Sequence, residues 1–444
     1  MDFLNGKLKP IYLKYLCAAF GSAMITSVYS IVDMAIVGKY QGAEGTAALA
    51  VVAPIWNVIY SLGLLTGIGG SVIFNIIRGQ STDKKGTENQ YFTISLFASF
   101  ALAVLAWSII LFYEQPILRF GGADNKLLVL AIEYLAPIKW VFPVFLLNQM
   151  LAAFLRNDKN PALATVGVLC GGVFNMAGDY VFVFTFDMGI KGAGLATAIG
   201  ACIPCAIMLL HFVSKRNTLR IVRPTEIFFK LRKILVTGFP TFFVDVAMGI
   251  LTILFNRQIM KYLGANALAV YGLIVNISTF VQCCAYSVGQ AAQPIISMNF
   301  GAAKGVRIKE MLRYALVTVF AFSVFWSVLS LACPNLYVYL FMKPGTDILQ
   351  IAPAIIRTYS ISFILLPFNI FSTYYFQAIL KPVAALTVSV ARGLVISSIL
   401  ILTIPAFVRP ELIWYSMPIT ELIVAFYAVN RMIVYTKQLP SKRI

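Results

Sequence analysis

The chain has 444 residues, of which 60% are hydrophobic and only 12% charged, and its mean hydropathy is +0.85. Soluble domains run about 45–50% apolar and about 25% charged, so this composition excludes a water-soluble globular protein. The 35 Lys and Arg against 17 Asp and Glu leave a net charge of +18. Combined with long apolar runs, that basicity marks a membrane protein with basic loops on one side rather than a nucleic-acid binder.

A spanning helix needs about 20 mostly apolar residues. In chain order the runs fall at 12–37, 46–76, 91–113, 128–155, 162–186 and 192–213, then at 234–261, 266–298, 313–333, 350–379, 384–407 and 412–435. These are continuous apolar runs, not ten-residue alternations, so a β-barrel is excluded. The expected fold class is all-α and polytopic: twelve transmembrane helices in two six-helix bundles related by a pseudo-twofold axis along the membrane normal. Bases gather in alternate connections, among them Lys7, Lys9, Arg78, Lys84, Lys85, Arg156, Lys159, Lys304, Arg307, Lys381, Lys437, Lys442 and Arg443. The bias places both termini on the inner side of the cell membrane. No cleavage site follows the first span, which reads as a retained helix.

Shifting the sequence by 222 residues superposes its halves. Lys39-Tyr40-x-Gly42-Ala43 meets Lys261-Tyr262-x-Gly264-Ala265, Gly67 meets Gly289, Gly79 meets Gly301, and Gly171 meets Gly393. The inner turn from Gly79 to Gly86 matches that from Gly301 to Gly305. The expected organisation is a first bundle at 1–213, a cytoplasmic linker and hinge at 214–233, and a second bundle at 234–444. Six spans per half is an even number, so both halves enter from the same side. Such duplication suits transporters that bind substrate between two bundles.

Seven cysteines all fall in spans, and Cys202-x-x-Cys205 has no companion Cys or His cluster, so they read as small packing residues. The single histidine, His211, sits at an inner helix end. A membrane enzyme would need a catalytic constellation that these residues do not supply, so no enzymatic activity is expected.

A charge near the bilayer centre costs on the order of 2.5–3.5 kcal/mol, so intramembrane acids need a reason. Asp33, Asp179, Asp245 and Glu421 lie well within spans, and Arg392 on the preceding span is the natural partner for Glu421. Asn175 precedes Asp179 by one helical turn and shares its face. Asp179 and Thr197 lie nine residues to either side of the connection centred at 188, which puts them at one depth, about 14 Å from the turn. Asp33 lies equally far from Gly42. Two carboxylates, an amide and a hydroxyl make a hard oxygen site for a small cation such as Na+. They would serve a proton equally, because two neighbouring carboxylates titrate as a coupled unit. At the 222 offset Asp33 faces Phe255, Asn175 faces Ser397 and Asp179 faces Ile401, so the fold is duplicated and the site is not.

Tyr29-Ser30-Ile31-Val32-Asp33-Met34-Ala35-Ile36-Val37-Gly38, followed by Gly42, Ala47-Ala48-Leu49-Ala50 and Pro54, resembles the first-helix signature of the multidrug and toxic compound extrusion (MATE) family. Asn175-Met176-Ala177-Gly178-Asp179-Tyr180, with Gly192-Ala193-Gly194-Leu195-Ala196-Thr197-Ala198, resembles its fifth and sixth helices, and Gly238-Phe239-Pro240 the opening of its seventh. The resemblance implies a monomeric secondary-active antiporter of the cell membrane. It would export bulky, often cationic amphipathic compounds in exchange for Na+ or H+, with no cofactor. It carries the family's cation site onto Asp33, Asn175, Asp179 and Thr197, and a polar fourth-helix position onto Asn148. Two departures stand out. The first span has no proline, Ala18 standing opposite Pro240, and the tenth has Asn369 where some relatives carry an acid.

Substrate is expected between the halves, where Asp245 would attract a cation and Trp56 and Tyr60 would stack on it. The alternative is a flippase for lipid-linked precursors in the same superfamily, which would use Lys139, Arg257, Arg357 and Arg392 to hold a pyrophosphate.

Overall fold

The computed structural model describes residues 2–80, 86–341 and 346–439. Lys84, Lys85, Lys442 and Arg443 of the inner basic set lie outside the described residues, as does most of the turn between Gly79 and Gly86. The described residues are mostly helical, with no strand. Among the described residues eleven helices are long and apolar enough to cross a membrane, and a bent pair, taken as one span, makes twelve. The first six spans are Leu8–Gly42, Glu44–Gly79, Thr87–Phe120, the pair Asn125–Ile138 and Phe142–Asn157, Pro161–Thr185 and Gly189–Val213. The remaining six are Ile227–Tyr262, Gly264–Gly301, Gly305–Ala332, Asp347–Ala378, Pro382–Phe407 and Pro410–Lys437.

The fourth span departs from the continuous helix expected at 128–155. It bends by 60° between Ile138 and Phe142. Pro137 and Pro143 flank the bend: Pro137 lacks the N–H that a continuing helix would use, and Pro143 sits in the first turn of the next helix, where a proline is tolerated. The Lys139 ammonium at the bend donates to Glu114 at 3.2 Å. In the tenth span a short 3₁₀ turn at Ile361–Ile364 interrupts the helix, and Pro367 lies in the first turn of the helix that follows.

Internal repetition is visible in the backbone. Gly42 has φ +72° and Gly264 has φ +81°, each breaking the chain between a first and second span of its half. Both occupy the left-handed region that glycine enters without steric cost. Gly42 is the sole residue with non-helical angles between Leu8 and Gly79, so the first span runs unbroken past Ala18.

Two compact units divide the chain: one is residues 17–242 with Met1, and the other residues 2–16 with 243–444. The division falls inside the seventh span. In the second unit the Phe3 side chain is fully buried, and its carbonyl accepts from Asn299 Nδ2 and Arg307 Nη2, both at 3.1 Å.

In the first unit the 214–233 connection is not a free tether. Asp158 accepts from the Thr218 backbone N–H at 2.8 Å, from Arg78 Nη1 at 3.0 Å and from the Thr218 hydroxyl, and contacts His211 Nε2 at 2.8 Å. Burial opposes ionisation of Asp158, but hydrogen bonds from His211 and Thr218 and the Arg78 charge outweigh it, holding the carboxyl below its usual range. His211 is therefore a buried structural residue, with Asn160 Nδ2 3.0 Å from its other ring nitrogen. Further along, the N–H groups of Arg220 and Val222 donate to Asn89 Oδ1 and Thr93 Oγ1 at 3.0 Å each. The linker expected at 214–233 is already helical from Ile227 on, and the residues before it lie as an extended strap along the start of the third span.

Candidate functional site

Close helix crossings in the first unit explain how the site assembles. A side-chain carbon on Gly194 would stand 2.1 Å from the Tyr134 carbonyl, and one on Gly171 would stand 2.5 Å from the Gly200 carbonyl. A side-chain carbon on Gly172 would meet Ile25 at 2.6 Å. Small residues let helix backbones approach, so the first, fourth, fifth and sixth spans converge here. A π turn, Val181–Thr185, begins two residues after Asp179 and carries the chain out to the next connection.

Asp33, Asn175 and Asp179 are all buried, with Asp179 fully inaccessible. Asn175 Nδ2 donates to Thr197 Oγ1 at 3.1 Å. Tyr134 Oη donates to Asp33 Oδ2 at 3.0 Å and lies 3.4 Å from Thr197 Oγ1. Asp33 and Asp179 are near enough to repel one another when both are ionised. The remaining oxygens are unsatisfied: Asp33 Oδ1, Asn175 Oδ1 and both carboxylate oxygens of Asp179 are buried without a hydrogen-bond partner. A buried polar atom left unpaired costs about 1–3 kcal/mol, so four in one place need a guest that accepts their lone pairs. A small hard cation or protons on the carboxyls would do so, and every one of the four is an oxygen, the donor type such cations require.

Tyr134 is missing from the set read off the sequence. It sits one turn before the bend in the fourth span, where an aromatic residue in a helix carries no depth signal. Tyr134→Phe removes a hydroxyl that serves Asp33. It is expected to destabilise the protein by about 1–3 kcal/mol, seen as a lower thermal unfolding midpoint in detergent. An unchanged midpoint would show that the hydroxyl carries no load.

Asn148 takes a different place from the other four. Its Nδ2 donates to the Ala201 carbonyl at 2.8 Å, tying the fourth span to the sixth, while its Oδ1 is buried and unpaired. Trp56 packs on Phe145 and Phe142, with ring centroids 4.7 and 6.4 Å away. Tyr60 pairs its hydroxyl with that of Tyr29 at 3.1 Å. Asp245, in the second unit, is half-buried with the Tyr286 hydroxyl in reach.

In the second unit Arg392 Nε donates to Glu421 Oε1 at 2.7 Å, and Asn369 Nδ2 to Oε2 at 2.6 Å. The pair expected from the sequence is present, and both Glu421 oxygens are satisfied. Phe255, at the position equivalent to Asp33, stacks on Tyr271 with centroids 4.9 Å apart. Of the four bases considered for a pyrophosphate, Lys139 and Arg392 are paired with acids, Arg257 is exposed, and Arg357 donates to the Leu331 carbonyl. No cluster of three or more His, Cys, Asp and Glu suited to a metal occurs among the described residues.

Comparison with known proteins agrees with the fold and its internal repeat. The MatE family pattern matches residues 18–181 and again residues 240–403, and the second match begins and ends 222 residues after the first. A Multidrug export protein MepA of Staphylococcus saprophyticus is 25% identical over 418 residues, covering 93% of this chain and 90% of that protein. The MepA protein of Staphylococcus aureus strain MSSA476 is 23% identical over 416 residues, with the same coverage. Among solved structures, an outward-facing multidrug resistance MATE family transporter of the MOP superfamily superposes with TM-score 0.89 at 20% identity, covering 98% of both chains. A MOP superfamily transporter from Pyrococcus furiosus, described as having a binding pocket of reverse polarity, gives TM-score 0.90 at 20% identity over 99% of this chain and 98% of its own. With the family pattern matched in both halves of a twelve-span helical fold, the chain belongs to the MATE family of membrane transporters.

Proposed function

We propose that this protein is a secondary-active multidrug exporter that couples inward movement of Na+ or H+ to outward movement of bulky, amphipathic and often cationic compounds. Multidrug export is what its MepA relatives are named for. Coupling is supported above all by one observation: four buried oxygens of Asp33, Asn175 and Asp179 stand together without partners. A cation or proton there satisfies them in one conformation of the transporter. Coupling requires only that each ligand bind the two conformations differently. Thr197 and Tyr134 hold the donors in place, and Asn148 fixes the sixth span behind them. Asp245, Trp56 and Tyr60 are proposed substrate contacts, a carboxylate for charge and rings for stacking. The protein acts as a monomer in the cell membrane with both termini inside, without enzymatic activity.

Export is tested in cells that lack their own efflux pumps and express this chain, by following accumulation of a fluorescent lipophilic cation. Expression is expected to lower accumulation, and collapse of the ion gradients to restore it. Equal accumulation with and without the protein would overturn the export reading. A decrease that survives collapse of both gradients would overturn ion coupling.

A further inference from the structure

Residues 214–233, the strap and the first two turns of the seventh span, carry seven bases that lie outside the candidate cation site. Lys230 is buried and spends its ammonium on the Thr225 carbonyl, the Thr225 hydroxyl and Gln90 Oε1. The other six bases, Lys215, Arg216, Arg220, Arg223, Arg232 and Lys233, are all exposed. Glu226 is the single acid in the segment. Among the described residues none of these six bases forms an ion pair.

Their positions are fixed rather than averaged over a floppy loop. Backbone donors of Thr218, Arg220, Val222 and Thr225 are held by Asp158, Asn89, Thr93 and Gln90 in turn. Ile234, fully buried, docks the start of the seventh span against Ile73, Tyr91 and Ile94. A side-chain carbon on Gly238 would stand 1.9 Å from the Leu65 carbonyl, so this helix end lies against the second span with no slack.

Large apolar side chains stand exposed among these bases. Ile221 is 66% exposed and Phe228 is 81% exposed, while the Lys233 ammonium lies 4.4 Å from the Phe229 ring centre. The seventh span has 36 residues, about 54 Å of helix at 1.5 Å per residue, against a hydrocarbon core roughly 30 Å thick. Its basic inner turns therefore extend into the headgroup layer. Exposed rings beside bases at that depth suit a surface that is apolar below and anionic above.

We infer that the strap and the inner turns of the seventh span form a binding surface for anionic phospholipid headgroups. Phosphodiesters would sit among Arg216, Arg220, Arg223, Arg232 and Lys233, with Phe228 and Ile221 in the acyl boundary. Attraction to an anionic leaflet sums over bases and is screened by salt. The lipid is preferred to a soluble anion because the apolar side chains are interleaved with the charges.

The test uses full-length protein in a neutral detergent, titrated with short-chain phosphatidylglycerol or phosphatidylcholine while the thermal unfolding midpoint is read. Phosphatidylglycerol is expected to raise the midpoint at a concentration at least tenfold lower than phosphatidylcholine. That preference should vanish at high salt, and in a variant carrying Lys215→Gln, Arg216→Gln, Arg220→Gln, Arg223→Gln, Arg232→Gln and Lys233→Gln. Equal effects of the two lipids on the native protein, or a preference that survives in the variant, would overturn the inference. Inorganic phosphate producing the same rise would overturn the choice of lipid. The readout is stability, so it is independent of whether the chain exports drugs.

Discussion

Asp33→Asn is expected to lower ion-driven export about 5–150-fold while leaving the protein folded in the membrane. Tyr134 Oη donates to Asp33 Oδ2, and an asparagine oxygen accepts that bond equally well. The change falls on Oδ1, which has no partner in the native protein. An amide N–H placed there can donate to a neighbouring unpaired oxygen, satisfying locally what a cation would satisfy in transit. The site then has one less negative charge and one less acceptor, and it cannot be emptied and refilled across the cycle. Allosteric coupling between two ligands is commonly worth about 1–3 kcal/mol, or about 5–150-fold, and its loss should lower gradient-driven export by that order. Reconstituted vesicles measure this directly: export equal to that of the native protein would sink the role of Asp33, and an unchanged unfolding midpoint would show that folding is not the cause.

The second large effect concerns the other half. Arg392→Met leaves Glu421 buried, with Asn369 still donating to one oxygen but nothing to neutralise the charge. Removing one partner of a buried ion pair costs about 3–5 kcal/mol, because the survivor keeps its desolvation penalty and loses its compensation. Removing both charges is far less harmful, since a neutral pair has no such penalty. The single variant is therefore expected to unfold at a clearly lower temperature. Arg392→Met combined with Glu421→Gln is expected to recover most of the loss, because the introduced amide oxygen still accepts from Asn369. Equal midpoints for the single variant and the native protein would show that the pair does not hold the second unit together. A double variant as unstable as the single one would assign the loss to packing of the arginine stem instead.

The intramembrane acids fall into two kinds that the sequence already distinguishes. Glu421 has Arg392 on the preceding span as its natural partner, whereas Asp33 and Asp179 share one depth with Asn175 and Thr197, and that contrast separates a structural charge from a candidate functional one. Depth counting from the outer connections brought Asp33, Asn175, Asp179 and Thr197 to one level, and the hydrogen bonds Tyr134–Asp33, Tyr134–Thr197 and Asn175–Thr197 now link three of them through a fifth residue. Tyr134 was not legible, because its role depends on the 60° bend between Ile138 and Phe142 and on the close approach of Gly194 to its carbonyl. Pro137 and Pro143 disfavour a continuous helix, but hydropathy alone ran through them. The 222-residue repeat was legible from glycine spacing, and paired positive φ angles at Gly42 and Gly264 give it a backbone meaning. The strap was not, since its bonds join side chains more than 100 residues away in sequence, such as Asn89 and Thr93, to backbone donors at 220 and 222. Pattern reading sees periodicity within a helix and cannot see which polar side chains a distant segment will find.

If Asp33 and Asp179 hold an exchangeable cation that drives export, its gradient alone must be able to power transport. Purified protein in sealed vesicles, loaded with a fluorescent lipophilic cation and subjected to a sodium gradient alone or a proton gradient alone, tests this most directly. One of the two gradients is expected to drive substrate against its concentration difference with the native protein, and with neither Asp33→Asn nor Asp179→Asn. Uphill transport that proceeds without either gradient, or that persists in both variants, would contradict it.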